Sequence, residues 1–247
     1  MRVPKRHPRY KSLRTREILS EMMERGIVAR TGLIAHGRGE AFDYFLGERT
    51  PPEASLAASV AAFKLANARS PVISVNGNVA ALAGKEIIKL SREIPAKLEV
   101  NLFHRSEGRI DLVVDFMESL GARGVLGRSA RRRIPGLEQP RGRCSEGIYG
   151  ADVVLVPLED GDRAQALKAF GKLVIAIDLN PMSRTALVAD VTIVDELTRS
   201  IPMLERHVRG AKAEPARYAK LVKGFDNHQN LLAVRDRMAR RLMEESR

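Results

Sequence analysis

The sequence has no tryptophan, a single cysteine and few aromatic residues. Aromatic side chains account for 4% of its 247 residues, so Leu, Ile, Val and Ala must supply most of the core. Cys144 has no partner for an intrachain disulfide, which fits a reducing compartment. It lies in a polar stretch without the spacing of a zinc site, so a structural role is favoured over a catalytic thiol.

Several functional classes are disfavoured because the motif that they need is missing. No GxxxxGK[ST] or GxGxxG sequence occurs, which disfavours a standard P-loop NTPase and a standard NAD dehydrogenase. No zincin motif and no Ser–His–Asp set is evident, and no metal-binding residues are assigned. No apolar run is long enough to cross a bilayer, and the basic N-terminus lacks the apolar region of a signal peptide. We therefore predict a soluble, cytoplasmic protein without a membrane partner.

Positive charge exceeds negative charge by a wide margin. Lys and Arg number 42 against 30 Asp and Glu, and the resulting formal net charge of +12 attracts polyanions. The basic residues concentrate in residues 2–16, in residues 128–143 and in the C-terminal helix. Nucleic acid and phosphorylated metabolites are both candidate partners. Apart from Tyr10, the basic stretches lack stacking aromatics, so we predict small anionic ligands rather than nucleic acid.

Short apolar runs rich in β-branched residues alternate with helical segments. The runs comprise residues 71–75, 97–103, 152–156, 173–177 and 191–194, with a weaker run at 125–126. Such runs are typical of parallel strands that are covered on both faces. The sequence therefore predicts an α/β fold, a Rossmann-like parallel sheet flanked by helices, with N-terminal and C-terminal helical additions.

We expect the whole chain, residues 1–247, to form one α/β domain. Its parts are an arm and helices at 1–70, the sheet at 71–200 and C-terminal helices at 201–247. Residues 1–12 are predicted to be extended, because Pro4 and Pro8 oppose a helix, and a helix is predicted over 13–24. Residues 128–150 are rich in Pro, Arg and Gly and are expected to form a mobile loop.

One segment, residues 32–44 (GLIAHGRGEAFDY), contains three glycines together with His36, Arg38 and Glu40. We predict an apolar run that ends in a Gly-rich turn, followed by a helix that begins at Ala41. Glycine lets a backbone approach a ligand closely, and a helix N-terminus offers free N–H groups to an anion. The segment would therefore present a cation and a histidine to a carboxylate or phosphate. An ordinary turn with solvated charges is the alternative.

Polar side chains follow the predicted strands. The exits carry Asn76 and Asn78, then His104 and Arg105 after a strand that contains Asn101, then Glu159 with Asp160 and Asp162, Asp178 with Asn180 and Ser183 to Thr185, and Asp195 with Glu196. Because ligands bind beyond the carboxyl ends of strands in open α/β sheets, we expect these exits to share one cleft.

Two of these exits suggest specific chemistry, each with a structural alternative. Asp178 has the position of an acidic residue that binds ribose hydroxyls, and the hydroxyls and guanidinium at 183–185 suit a phosphate. Ser183 is alternatively the N-cap of a helix. The carboxylates at 159–162 could help to hold Mg²⁺, or Asp160 or Asp162 could cap a helix instead.

A series of unusual sequence blocks occurs in order over about residues 4–205. The blocks are HPRY at 7–10, SL at 12–13, RE at 16–17, the segment at 32–44, PVISVNGN at 71–78, EVNLF at 99–103, IPGLE at 134–138, VLVPLEDGDR at 154–163, IDLNP at 177–181 and TIVD at 192–195. In these blocks the chain resembles the archaeal phosphopantothenate synthetase family, also called 4-phosphopantoate–β-alanine ligase.

The resemblance implies an enzyme of coenzyme A biosynthesis that is a homodimer. It would condense 4-phosphopantoate with β-alanine and convert ATP to AMP and pyrophosphate. Motif by motif, the resemblance implies contacts to ATP from Arg16, Arg38, Asp178, Leu179, Asn180, Arg184, Thr185, Glu196 and Leu197.

A route through an acyl-adenylate needs stabilisation of charge on the transferring phosphorus more than it needs a nucleophile on the protein. We therefore assign catalytic roles to Arg38 and Arg184 at the phosphates, assisted by Mg²⁺. His36 is the third catalytic candidate, and His36, Asn76 and Asn101 are the candidates for binding phosphopantoate.

Two other functions fit parts of the sequence. A non-catalytic nucleotide sensor would use the same cleft but would not release AMP when β-alanine is present. A nucleic-acid-binding protein would use the basic arm and the Arg-rich loop, and its binding would depend steeply on salt.

Overall fold

The computed structural model describes residues 4–7, 9–128, 130–138 and 140–244. The helices are α1 (Tyr10–Glu24), α2 (Arg30–Leu46), α3 (Pro52–Ala66), α4 (Gly77–Glu93), α5 (Glu107–Ser119), α6 (Glu146–Gly150), α7 (Gly161–Ala169), α8 (Arg184–Val188), α9 (Leu197–Ala213), α10 (Pro215–Lys223) and α11 (Asn227–Glu244). The strands are β1 (Pro71–Val75), β2 (Lys97–Val100), β3 (Arg132–Arg133), β4 (Arg143–Cys144), β5 (Val153–Pro157), β6 (Leu173–Ile177) and β7 (Val191–Ile193). In the described ranges, none of the helices has the length and apolar character needed to span a membrane.

Five of the strands form one parallel sheet in the order β2-β1-β5-β6-β7. Each neighbouring pair is parallel, as in the register of Ile73 with Leu98 on one side and with Leu155 on the other. The chain leaves β1 toward β2 and later returns to β5 on the opposite side of β1, so the order reverses between β1 and β5. The predicted α/β fold is confirmed, and such a reversal is where open sheets bind ligands.

Both faces of the sheet are buried. Ile73, Leu155 and Ile175 join one large apolar cluster, which includes side chains of α3, α4 and α9. Their neighbours Val72 and Val154 join a second cluster on the other face, which includes side chains of α6 and α7. Alternate residues of a strand point to opposite faces, so strands covered on both sides become continuous apolar runs.

The largest departure from the sequence prediction is α2. The predicted turn at residues 32–40 is wrong, because one helix runs from Arg30 to Leu46 and ends at Gly47, which has a φ of 79°. A helical glycine costs ~1 kcal/mol relative to alanine, but close packing can require one. A Cβ on Gly32 would lie 2.4 Å from Asn78 Oδ1, so this glycine serves the contact between α2 and α4 rather than a turn.

Smaller departures lie in two irregular regions. Helix α1 begins at Tyr10, so the extended arm is wrong for residues 10–12, whereas residues 1–3 and 8 of that arm lie outside the described residues. The weak strand at 125–126 is a single bridge between Leu126 and Glu99. The predicted loop at 128–150 contains the β3–β4 hairpin and α6, although residues 129 and 139 lie outside the described ranges.

Glu99 anchors this irregular region to the sheet. Its carboxylate is fully buried and accepts hydrogen bonds from the amides of Ser145 and Ile148 at 2.8 and 2.9 Å. The neighbouring Cys144 is buried on β4, and desolvation raises the pKa of its thiol to about 12. A thiol that stays protonated at neutral pH is a poor nucleophile, in agreement with the structural role predicted for Cys144.

Candidate active site

A central cavity of about 740 Å³ lies at the carboxyl ends of β1, β2, β5 and β6. Four strand exits line it, through residues 76–78, 102–104, 158–161 and 178–180, and so does one side of α2. The cavity therefore spans the point where the strand order reverses, which is the expected ligand position in this class of sheet.

The exit of β1 offers the N-terminus of α4 to the cavity. Asn76 caps this helix by accepting a hydrogen bond from Val79 N at 3.1 Å. Its amide nitrogen donates to the carbonyls of Pro157 and Leu158, which ties the exit of β1 to that of β5. The first N–H groups of a helix have no partner within it, so the turn that begins at Gly77 suits an anion.

Helix α2 contributes His36 and Arg38 to the same cavity. His36 Nε2 is buried and has no hydrogen-bond partner among the described residues. Burial lowers the pKa of His36, although Glu40 and Glu196 oppose this effect. The imidazole is therefore neutral at pH 7 and can offer Nε2 to a ligand as a donor or an acceptor. Arg38 is exposed and fully charged.

The exit of β6 is an ordered polar turn. Burial raises the pKa of Asp178, and this outweighs the opposing effects of Ser183, Asn180 and Arg38. The Asp178 carboxylate accepts from Ser183 Oγ and, at 2.9 Å, from Asn180 N. Ser183 also accepts from Ala186 N, so it is the N-cap of α8, and the capping alternative is confirmed. Each carboxylate oxygen has a second lone pair, so Asp178 can still accept a ribose hydroxyl.

The carboxylates after β5 have different partners. The Glu159 side chain is 7% exposed and pairs with the buried Arg163. Asp160 caps α7 through Oδ1, as one of the two alternatives predicted, while Asp160 Oδ2 is buried without a hydrogen-bond partner in the described part of the chain. Asp162 pairs with Arg141 at 2.6 Å and with Arg184 at 2.7 Å.

Most of the residues predicted for the site lie together. The cavity lining includes His36, Arg38, Asn76, Asp178, Leu179, Asn180, Arg184 and Thr185. Thr185 is itself fixed by a hydrogen bond from its hydroxyl to the Glu159 carbonyl at 2.9 Å. The described residues contain no group of three or more His, Cys, Asp or Glu side chains that could hold a metal ion.

The four other predicted residues lie outside this lining. Arg16 pairs with Glu40 at 2.8 Å, at the wall of a second cavity of about 530 Å³ between α1 and α2. Asn101 is buried, with Oδ1 unpaired among the described residues, and donates to the Glu99 carbonyl. Glu196 caps α9, and Leu197 is a core residue. Their contacts with ATP or substrate stay predictions.

Sequence reasoning missed other lining residues, notably Phe42 and Arg109. The sequence prediction places Phe42 at the start of a helix and gives it no role. Arg109 lies in the first turn of α5, and it reaches back to the exit of β2 by donating to the His104 carbonyl at 2.9 Å. The available signal was an arginine in the first turn of the helix that follows β2.

Comparison with known proteins identifies the family of the chain. Residues 53–241 match the family described as phosphopantothenate/pantothenate synthetase. The chain belongs to this family.

Its relatives include two proteins named 4-phosphopantoate–β-alanine ligase, from Thermococcus onnurineus and Thermococcus kodakarensis. The first is 49% identical over 97% of this chain and 95% of the relative, and the second is 50% identical over 98% and 95%. A third protein of that name, from Methanospirillum hungatei, is 54% identical over 83% of this chain and 84% of the relative. The family predicted from the motifs is confirmed.

Proposed function

We propose that this chain is a 4-phosphopantoate–β-alanine ligase of coenzyme A biosynthesis, which forms 4'-phosphopantothenate and converts ATP to AMP and pyrophosphate. The chain belongs to the phosphopantothenate/pantothenate synthetase family. The observation that carries the proposal is its central cavity, which is lined by Arg38, Arg109, Arg184 and the N-terminus of α4. All three substrates carry a phosphate or a carboxylate, so a cavity with these groups suits them.

The nucleotide would occupy the part of the cavity between α2 and the exit of β6. Asp178 would accept ribose hydroxyls, with Leu179, Asn180 and Thr185 beside it, and Arg38 and Arg184 would bind the phosphates. Both arginines are exposed, but Arg184 is held by Asp162 at 2.7 Å, whereas Arg38 has no ion pair among the described residues and can follow the phosphates. Arg16, Glu196 and Leu197 are assigned to ATP by resemblance alone.

Mg²⁺ fits this site as an ion carried in with ATP. It is usually held by one or two carboxylates together with substrate phosphates. Asp160 Oδ2 is the buried carboxylate oxygen at the cavity that lacks a hydrogen-bond partner in the described ranges, so Asp160 is the residue that would hold the ion. Bound there, Mg²⁺ would neutralise part of the phosphate charge.

The reaction needs orientation and charge stabilisation from the protein. The pantoate carboxylate would displace pyrophosphate from the α-phosphorus of ATP, and the amine of β-alanine would then displace AMP from the acyl-adenylate. Arg38 and Arg184 would stabilise the charge on the phosphorus. His36 would orient phosphopantoate through its unpaired Nε2, beside Asn76 and the start of α4.

Release of AMP from Mg-ATP tests the proposal most directly. With 4-phosphopantoate present, AMP should increase together with 4'-phosphopantothenate only when β-alanine is added. Binding of ATP without AMP release would support the nucleotide-sensor alternative instead.

We also propose that the protein is a cytoplasmic homodimer that does not bind nucleic acid. The resemblance supports the dimer, and the shortage of aromatics in the basic stretches argues against nucleic acid. Light scattering should give twice the mass of 27.3 kDa, whereas a single-chain mass would contradict the dimer.

A further inference from the structure

Arg184, which is assigned to the phosphates of ATP, is held by two side chains of α7. Its Nη1 lies 2.7 Å from Asp162 Oδ1, and its Nη2 donates to Gln165 Oε1 at 3.0 Å. Asp162 and Gln165 are three residues apart, so they lie on one side of the helix. A Cβ on Gly161 would lie 2.5 Å from Arg184 Cβ, so the start of α7 also packs against the base of this side chain. The Arg184 side chain is 64% exposed, yet these contacts give its guanidinium a fixed direction.

The Asp162 carboxylate joins two arginines. Its Oδ2 accepts a hydrogen bond at 2.6 Å from Arg141, which lies between β3 and β4, while its Oδ1 pairs with Arg184. The two guanidiniums lower the pKa of Asp162, so the side chain is a carboxylate at neutral pH. Because each oxygen has its own cation, rotation of the carboxylate would break one of the two pairs. Arg141 thereby fixes the orientation in which Asp162 holds Arg184.

Arg141 is itself anchored on two sides. Its guanidinium lies 5.0 Å from the ring centroid of Phe103, which lines the cavity at the exit of β2. Its carbonyl accepts a hydrogen bond at 2.9 Å from the buried Arg163 of α7. Contacts therefore continue from Phe103 through Arg141 and Asp162 to Arg184. Arg141 and Asp162 do not line the cavity themselves, so their effect on a ligand would pass through Arg184.

We propose that Asp162 and Arg141 are positioning residues, which hold Arg184 in the direction that charge stabilisation at the transferring phosphorus requires. The inference rests on the proposed function, which places the phosphates of ATP at Arg184. An arginine without partners would lose conformational freedom in the transition state, whereas a held arginine loses this freedom when the chain folds. The same arrangement places a carboxylate beside the phosphates, which disfavours the binding of ATP. The network therefore increases turnover and weakens the affinity for ATP.

Asp162→Asn separates turnover from affinity. The variant keeps the shape of the side chain but loses the charge that binds both arginines, so kcat should fall by about 10- to 100-fold. The KM for ATP should not increase, because Arg184 keeps its charge and a repulsive carboxylate is removed. A disturbed fold around α7 would instead increase the KM for ATP and lower the melting temperature.

Arg141 variants test the other half of the network. Arg141→Gln should lower kcat by less than Asp162→Asn does, because the direct pair between Asp162 and Arg184 remains. Arg141→Lys should recover part of that loss, since lysine restores a cation for Asp162 but not the planar fork. Because Arg141 acts through Asp162, adding Arg141→Gln to Asp162→Asn should change kcat by less than about twofold. Losses that multiply in the double variant would show that Arg141 acts by another route.

Asp111→Asn is the matched control. Asp111 of α5 is also a partly exposed carboxylate that pairs with an arginine, Arg128 at 3.2 Å, but it does not line the cavity. This variant should leave kcat and all KM values unchanged. Thermal melting checks that each variant is folded. If Asp162→Asn were too unstable to assay, equal kcat values in Arg141→Gln and the wild type would reject the inference.

Two kinetic results with Asp162→Asn would overturn the inference. An unchanged kcat would mean that the direction of Arg184 does not matter for the reaction. A higher KM for ATP with an unchanged kcat would mean that Asp162 supports the binding of ATP and not turnover.

Side-chain NMR of the arginine Nε–H groups separates this inference from the proposed function. The Arg184 signal, assigned by its loss in Arg184→Lys, should show restricted motion in the wild type and increased motion in Asp162→Asn. If the wild type forms no 4'-phosphopantothenate but Arg184 becomes mobile in Asp162→Asn, the ligase proposal fails and the positioning of Arg184 stands. If Arg184 is equally ordered in both proteins, the positioning is rejected, whatever the activity of the wild type.

Discussion

The Arg38 side chain lines the cavity and is not packed in the core. It lines the cavity from α2 and is exposed, and among the described residues it forms no ion pair. His36, two positions before it, is partly buried and neutral at pH 7 because desolvation lowers its pKa. The two side chains therefore offer a ligand different chemistry, an exposed cation and a partly buried neutral ring.

Replacing Arg38 should affect turnover without affecting stability. Arg38→Ala should lower kcat/KM for AMP release by on the order of a hundredfold or more, because a donor that stabilises developing charge is lost. Its free energy of unfolding should stay within about 0.5 kcal/mol of the wild type, as is usual for an exposed site. Arg30→Ala, at the exposed start of the same helix, is the control and should retain full activity. Retention of full kcat/KM in Arg38→Ala would remove Arg38 from the phosphate site.

At the scale of elements, a charged network fastens α2 to the sheet and to α9. The Arg199 guanidinium on α9 donates to Asp43 of α2 and, at 2.7 Å, to Asp195 after β7. Thr50 donates to the other oxygen of Asp195, which is fully buried. Burial alone would lower the pKa of Arg199, but the two carboxylates outweigh it and raise the pKa. The helix that carries His36 and Arg38 is thereby held at the cavity wall.

Removing the centre of this network should destabilise the fold strongly. Arg199→Met would leave two buried carboxylates without a cation, at a cost of about 3–5 kcal/mol in denaturant unfolding. Arg199→Lys should cost less than Arg199→Met, since it restores the charge but cannot bridge both carboxylates with a planar fork.

Arg209→Met is the matched control on α9. Arg209 pairs with Glu205 one turn away and its side chain is 54% exposed, so its loss should cost less than ~1 kcal/mol. Equal destabilisation by the Arg199→Met and Arg209→Met variants would show that the network is not what holds α2.

At the scale of the whole molecule, an ion pair joins distant parts of the chain. Glu53, at the start of α3, accepts hydrogen bonds from Arg237 of α11 at 2.8 and 2.9 Å. Burial alone would raise the pKa of Glu53, but Arg237 and other donors outweigh it and lower the pKa. A carboxylate with a lowered pKa stabilises the fold above its unfolded-state pKa, and this stabilisation is lost as the pH falls through the folded-state pKa.

The pH dependence of unfolding should therefore reveal this pair. The wild type should melt at a higher temperature than Glu53→Gln at pH 6–7, and the difference should disappear in acid, at pH values below the lowered pKa of Glu53. Glu21→Gln, at an exposed residue of α1, should show little difference at any pH. A difference between wild type and Glu53→Gln that is constant with pH would show that charge is not the cause.

The sequence by itself determined the sheet and the position of the cavity. The runs at 71–75 and 173–177 coincide with β1 and β6, because strands buried on both faces must be continuously apolar. Asn76 and Asp178 follow those strands directly, so parallel pairing brings them to one edge. The sequence also predicts Ser183 and either Asp160 or Asp162 as helix caps, since caps depend on local spacing, and the structure shows Asp160 in that role.

Only the tertiary structure decided the conformation of residues 32–40 and the positions of the Arg16 and Arg109 side chains. Glycines at 32, 37 and 39 predicted a turn, but contacts with distant elements, such as Gly32 against Asn78, favoured a helix. Arg16 pairs with Glu40 at the second cavity, which shares His36 with the main cavity, while Arg109 lines the main cavity from α5. Partners far apart in the sequence help to position these long side chains, such as Glu40 for Arg16 and the Ile27 carbonyl for Arg109, and a local sequence pattern does not specify those partners.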